Sequence, residues 1–233
     1  RSLTNEGMDR YNGKDIKHYR LNKDDNSLES PIHLGWIYTN PHIGTWVIGK
    51  QGRVFQYERK YDDFKLVYKL PNSLETISYG YMDRNNNIWL CRKHSILLYN
   101  TENAQILQFT NILHSNITAI EQVDDHHFFI STETGVRYLK LENGTLKIIP
   151  AETLDYFHVQ VNELYYHQAS KRLLIGSFER GLFVYDMNNR EIIKPEVDLS
   201  DVSITCMAPL DESQLLISTE GMGVYKININ RSE

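Results

Sequence analysis

The residues of this chain with the widest chemical reach sit in short polar turns that recur every forty-odd positions. Lys50-Gln51, Arg92-Lys93-His94, Glu133, Glu179-Arg180 and Glu220 occupy one set of turns, and Trp36, His114 and Tyr156-Phe157-His158 fall in longer stretches between them. Aromatic rings beside charged hydrogen-bonding groups suit a sugar, whose C–H faces stack and whose hydroxyls need both donors and acceptors. Arg92, His94, Tyr156, His158 and Arg180 are the candidate contacts for a ligand or partner. Paired carboxylates near a common axis would instead suit glycoside hydrolysis, and Glu133, Glu179 and Glu220 recur at related places. A carboxylate repeated in a turn also serves simply to form that turn.

Other chemistries find little support. The chain has nine histidines, but His126-His127 are adjacent and point to opposite faces of a strand, and His114, His158 and His167 lack ligand-like spacing. No metal site and no cofactor are expected. There is no Gly-x-Ser-x-Gly, His-Glu-x-x-His or phosphate-binding loop, so no catalytic residues are assigned.

The turns belong to a repeat. An apolar triplet and a small residue appear as Trp46-Val47-Ile48-Gly49, Ile88-Trp89-Leu90-Cys91, Phe128-Phe129-Ile130-Ser131, Leu173-Leu174-Ile175-Gly176 and Leu215-Leu216-Ile217-Ser218. A second segment follows each, starting at Arg53, Ser95, Gly135, Gly181 and Gly221, with a partial copy opening at Gly7. Successive starts are separated by 46, 42, 40, 46 and 40 residues. A period of this length marks a repeat architecture. Each copy parses as four short strands, for example 161–166, 173–175, 182–185 and 191–194. Consecutive apolar residues in the second strand need cover on both faces, because neighbouring side chains point in opposite directions. A charged, brief fourth strand suits an outer edge.

The expected fold is therefore all-β: a β-propeller of four-stranded antiparallel blades, about five plus a partial one, forming part of a larger ring. The partial blade is placed at 1–28 and the others at about 29–70, 71–110, 111–150, 151–197 and 198–233. One short helical turn is expected at Ala151-Glu152-Thr153-Leu154. In such a blade the turn between second and third strands and the connection from each fourth strand to the next blade share one face. That face carries the charged and aromatic residues named above.

Net charge of −5 gives no electrostatic reason to expect nucleic acid as a partner through this segment. No apolar run reaches the length of a membrane span, so anchoring would come from regions outside this sequence. The two cysteines, Cys91 and Cys206, fall in different repeats and are expected as packed thiols rather than a bridge. Asn116-Ile117-Thr118 and Asn143-Gly144-Thr145 match the glycosylation sequon, which acts only in a eukaryotic secreted protein.

The wording of the repeat resembles the two-component regulator propeller repeat, which runs Asn-Leu-Trp-Ile-Gly-Thr, then Gly-Leu and a closing Tyr. The matching segments are Asp83-Arg84-Asn85-Asn86-Asn87-Ile88-Trp89-Leu90 and Ile175-Gly176-Ser177 through Gly181-Leu182-Phe183-Val184-Tyr185. The opening Gly7-Met8-Asp9-Arg10-Tyr11-Asn12-Gly13, with Lys17-His18-Tyr19-Arg20 and Asn26-Ser27-Leu28, is similar to the same pattern. There is no Gly-His…Trp-Asp signature and no Ser-x-Asp-x-Gly-x-x-Trp box.

This resemblance implies the sensor region of a bacterial hybrid two-component regulator. The implied protein has a periplasmic ectodomain on an inner-membrane anchor, a histidine kinase downstream, a homodimeric full-length form and an oligosaccharide ligand that controls transcription. The segment itself would not be an enzyme. The alternatives are a protein-interaction propeller scaffold and a carbohydrate-active propeller enzyme.

Overall fold

A computed structural model describes residues 2–4, 7–21, 33–71, 76–193, 195 and 197–229. Asn26-Ser27-Leu28, the expected boundary at 28 and 29, and Lys194 of the expected fourth strand lie outside the described residues. The chain divides into two compact units, Arg1–Arg92 with Ile96–Gln108, and Lys93–Ser95 with Phe109–Glu233.

In the first unit, β1 (Ser2–Thr4), β2 (Gly7–Tyr11) and β3 (Ile16–Tyr19) form a three-stranded sheet. A four-stranded sheet follows from β4 (Leu34–Asn40), β5 (Gly44–Gly49), β6 (Arg53–Glu58) and β7 (Asp63–Lys69). The next comprises β8 (Tyr79–Met82), β9 (Asn87–Cys91), β10 (Ser95–Asn100) and β11 (Ile106–Thr110).

The second unit continues with β12 (Ile117–Gln122), β13 (His127–Thr132), β14 (Gly135–Glu142) and β15 (Thr145–Ile149). After the short helix α1 (Glu152–Asp155) come β16 (Val161–His167), β17 (Arg172–Ser177), β18 (Leu182–Asp186) and β19 (Glu191–Ile193). A last sheet has β20 (Ile204–Pro209), β21 (Gln214–Thr219) and β22 (Gly223–Asn228). Every sheet runs in sequence order with antiparallel neighbours, as propeller blades do.

The apolar triplets do what their composition demands. In β5, Trp46 and Ile48 pack with Ile77, Ile88, Leu90 and Leu97 of the following blade. Val47, between them, packs with Met8, Tyr19 and Phe55 on the other side. Leu174 of β17 likewise joins Ile204, Met207, Leu215 and Ile217 of the blade after it. Alternate side chains of one strand thus fill the two interfaces of a blade.

Hydrogen-bond register corrects two alignments drawn from sequence. Ile48, opposite Trp36 and Val54, holds the place of Gly176, which lies opposite Glu163 and Leu182. The true counterpart of Trp89, Phe129 and Leu174 is therefore Trp46, not Val47. Gly49 mimics the small residue of the repeat but falls one place later. In the final copy β22 begins at Gly223, with Ser218 opposite Val224, so Gly221 belongs to the turn. The last sheet also differs in cover: along β21 burial alternates, and Val224 is 67% and Met222 60% exposed.

Candidate ligand-binding face

One rim of the blades carries the turns between second and third strands and the connections that follow fourth strands. Backbone hydrogen bonds stitch the two together. Within the first unit Ile77 N–H donates to Lys50 C=O, and within the second Asn111 N–H donates to His94 C=O, Gly181 N–H to Val202 C=O and Glu220 N–H to Ser203 C=O.

Three local devices shape this rim. The first is a β-bulge near the start of the inner strand, between Leu34 and Trp36, Ile117 and Ala119, Val161 and Glu163, and Ile204 and Cys206. A bulge adds one residue, bends the strand and re-aims its side chains. The extra residues are put to use: Thr118 Oγ1 lies 2.9 Å from Ser131 Oγ, Thr205 Oγ1 2.7 Å from Ser218 Oγ, and Asn162 Nδ2 donates to Ile204 O at 3.1 Å. The second device is a hydroxyl that closes the turn. Thr132, Ser177 and Thr219 donate to the carbonyls of Gly135, Gly181 and Gly223 at 3.2, 2.7 and 3.0 Å.

The third device is the repeat glycine itself. A Cβ on Gly135 would sit 2.2 Å from Phe157 O, and one on Gly181 1.8 Å from Leu199 O. The connection to the next blade crosses directly over the start of the third strand, and only a residue without a side chain leaves room.

Of the sequence-predicted residues, Arg92 belongs to the first unit, and within the second His94, Tyr156 with His158, and Arg180 lie on separate turns and connections. Arg92 follows β9 directly in the first unit, near Tyr68. His94 belongs to the second unit and lies beside His114, ring centroids 6.4 Å apart. Tyr156, 82% exposed, and the exposed His158 follow α1, while Phe157 between them is buried edge-on against Phe183 at 5.0 Å. Arg180 lines a cavity of about 530 Å³ with Leu182, Phe183, Ile193 and Leu199. Among the described residues, the side chains of Tyr156, His158 and Arg180 make no hydrogen bond or ion pair. Trp36, expected in a connection, is instead a residue of β4, edge-on to Tyr79 at 5.7 Å.

A second cavity, of about 560 Å³, lies on the same rim of the second unit, lined by Lys93, His114, Glu133, Arg137, Leu113 and Ile148 among others. Sequence reading named Lys93, His114 and Glu133 and missed Arg137, which stands within a strand. A signal was present. Arg137 lies opposite Ile130 in the place that Phe55, Leu97, Phe183 and Tyr225 occupy in four other sheets and Asp9 in the first, so a cation stands where most copies carry an apolar or aromatic residue. Glu163, on the inner strand β16, was also missed. Burial raises its carboxyl to about 7, and it raises the nearby Cys206 thiol in addition to that group's own burial.

The carboxylates considered for catalysis are dispersed. Glu133 Oε1 accepts from Asn116 Nδ2 at 3.2 Å, and Glu179 and Glu220 are exposed on separate turns. Among the described residues no group of three or more His, Cys, Asp or Glu side chains could hold a metal ion. The histidines have other partners: His127 stacks on Tyr138 and contacts Asp124, and buried His167 bridges Ser170 Oγ and Glu212 O at 2.7 Å each. Both cysteines are free thiols; Cys91 is packed as expected, whereas Cys206 is exposed.

No protein-family model matches the sequence, and no curated protein does. Solved structures match throughout. The extracellular domain of BT3049 from B. thetaiotaomicron, described as a hybrid two component system, superposes with a TM-score of 0.71 at 18% identity, over 97% of this chain and 31% of that one. The extracellular domain of BT4673 from the same organism, also described as a hybrid two component system, gives 0.69 at 18% identity, over 98% and 30%. The β-propeller domain of Cps50 (Swd1) from Myceliophteria thermophila gives 0.65 at 13% identity, over 90% and 70%. The chain therefore has a β-propeller fold and spans about a third of the length of those two extracellular domains. Among the described residues no helix is long and apolar enough to cross a membrane.

Proposed function

We propose that this chain is a propeller segment of the ligand-sensing ectodomain of a bacterial membrane-anchored two-component regulator, and that its signal is an oligosaccharide. One observation carries the reading: the likeness to the BT3049 extracellular domain runs over 97% of the chain with a TM-score of 0.71. The repeat wording around Trp89 and Gly181 and the polar rim with its two cavities support it. In this reading the segment is periplasmic, the anchor lies elsewhere in the full-length inner-membrane protein, and the segment performs no catalysis itself.

Ligand would shift the population of two arrangements of a homodimeric ectodomain, and so set the activity of a downstream histidine kinase that controls transcription. Only a difference in affinity between the two arrangements can produce such a shift. Thermal unfolding of the chain against a panel of glycan fragments tests the binding step, since a ligand of the folded state raises the melting temperature by mass action. Autophosphorylation of the full-length protein with and without the binding glycan tests the output; equal rates would refute signalling.

A second reading, an interaction scaffold, is supported by the protruding Tyr156 and by the 40% exposed Phe178 on the same rim. Capture of one defined protein partner, lost on Tyr156→Ala, together with no response to any glycan, would favour it.

A further inference from the structure

We propose that the cavity between Lys93, His114 and Arg137 is a subsite for an acidic sugar, one bearing a carboxylate or sulfate group. The inference rests on the sugar-sensing reading above and specifies the chemistry of its ligand. The cavity is about 560 Å³, within the range of small-molecule sites and sufficient for one or two sugar rings.

Its charge runs against that of the molecule. The chain carries a net charge of −5, yet this cavity is lined by an ammonium, a guanidinium and an imidazole. Among the described residues neither Lys93 nor Arg137 forms an ion pair. One carboxylate, Glu133, also lines the cavity and accepts from Asn116 Nδ2 at 3.2 Å, so two cations stand against one anion. Arg137 is held in place through Nη1, which donates to Val136 O at 2.8 Å. Its remaining N–H donors suit the two-point contact that a planar guanidinium makes with carboxylate or sulfate oxygens.

The position of Arg137 strengthens the case. At the same place on the third strand four other sheets carry Phe55, Leu97, Phe183 and Tyr225, and the first sheet carries Asp9, so Arg137 is the one cation of the series among the described residues. Arg137 is half-buried there, so its guanidinium reaches the cavity rather than an apolar interior. Ile112, Leu113 and Ile148 give the cavity apolar wall against which the C–H face of a sugar ring can lie, and Ser115 and Thr134 add hydroxyls.

The test is isothermal titration of the chain with three oligosaccharides of equal length: one uronate-containing, one sulfated and one neutral. Tight binding of either acidic sugar, weakening as salt rises, is expected; which of the two binds identifies the anionic group. Arg137→Leu places in this blade the residue that Leu97 supplies in another, so folding should survive, which circular dichroism checks. That variant and Lys93→Ala should each weaken the acidic sugar by about tenfold or more. Equal binding of acidic and neutral sugars, or acidic binding unaffected by Arg137→Leu, overturns the subsite while leaving sugar sensing intact. No binding by any of the three overturns both.

Discussion

Trp89 Nε1 donates to Asp83 Oδ2 at 2.9 Å inside the hairpin that joins β8 to β9. The same carboxylate accepts the backbone N–H groups of Asn85 and Asn87 at 2.9 and 2.8 Å and the Asn87 side chain at 3.0 Å. A buried Trp needs a partner for its indole N–H, and here the residue that forms the turn supplies it. The repeat's Asp and Trp are thus one device. Asp83→Ala should destabilise the protein by about 2–4 kcal/mol, because it leaves a buried donor unpaired and opens the turn. Asp83→Asn, which keeps one acceptor, should cost less. Melting temperature and a red shift of Trp fluorescence measure both.

Gly135 and Gly181, at the start of third strands, are steric requirements, whereas a Cβ on Gly223 would meet nothing within 4 Å. Gly181→Ala puts a methyl on a residue with φ of +74° and 1.8 Å from a backbone carbonyl that cannot yield without moving the connection at Leu199. A loss of about 2–4 kcal/mol is expected, by the strain mechanism. Gly13→Ala, at a glycine with open space around it, should cost less. Equal melting temperatures for the two variants would refute the steric account.

Asp62 gathers four side chains: Tyr57 and Tyr19 hydroxyls at 2.5 and 2.9 Å, Arg10 at 2.9 Å and Lys17 at 2.6 Å. Lys17 foremost, then the two tyrosines, holds its carboxyl far below the usual carboxylate range. A depressed folded-state value means stability that is present above the unfolded value near 3.8 and lost as pH falls below it. Hydrogen exchange of β2 and β3 amides should therefore quicken below that pH in the wild type. In Asp62→Ala exchange should already be fast at neutral pH, since β2 and β3 lose their tie to the turn after β6.

Glu163 behaves in the opposite sense. Burial raises its carboxyl to about 7, so the folded state holds the proton more tightly than the unfolded one. The stabilisation is complete below the unfolded value near 4.5 and is lost as pH rises through about 7. Glu163→Gln, which mimics the protonated acid, should match the wild type near pH 4 and exceed it at pH 8 by about 1–3 kcal/mol. Unfolding of both proteins across that pH span checks this; a parallel pair of curves would refute it.

Much of this architecture is visible in the chain because its cause is local. Phe128-Phe129-Ile130 and Leu173-Leu174-Ile175 must be covered on both faces whatever else happens. Asp124 and Asp211, which accept N–H groups of His126, His127, Ser213 and Gln214, announce their hairpins by residue type alone. Even the closing hydroxyl is legible, as the Ser or Thr one place after the small residue in Gly176-Ser177 and Ser218-Thr219. The candidate site is less so. Arg137 stands out two places after Gly135, where the copies starting at Arg53, Ser95 and Gly181 carry Phe55, Leu97 and Phe183. Nothing local shows that it lines a cavity with Lys93.

Period, strand count and the two-sided burial of each second strand follow from the order of residues, since side-chain alternation and turn chemistry act over neighbours in the chain. Tertiary structure alone decided that Trp46 rather than Val47 faces the following blade, that Glu163 is buried enough to keep its proton, and that Lys93 and Arg137 line one cavity. Those outcomes depend on which surfaces meet across blades, and a carbonyl such as Phe157 O or Leu199 O arriving from a distant connection leaves no mark on the local sequence that receives it.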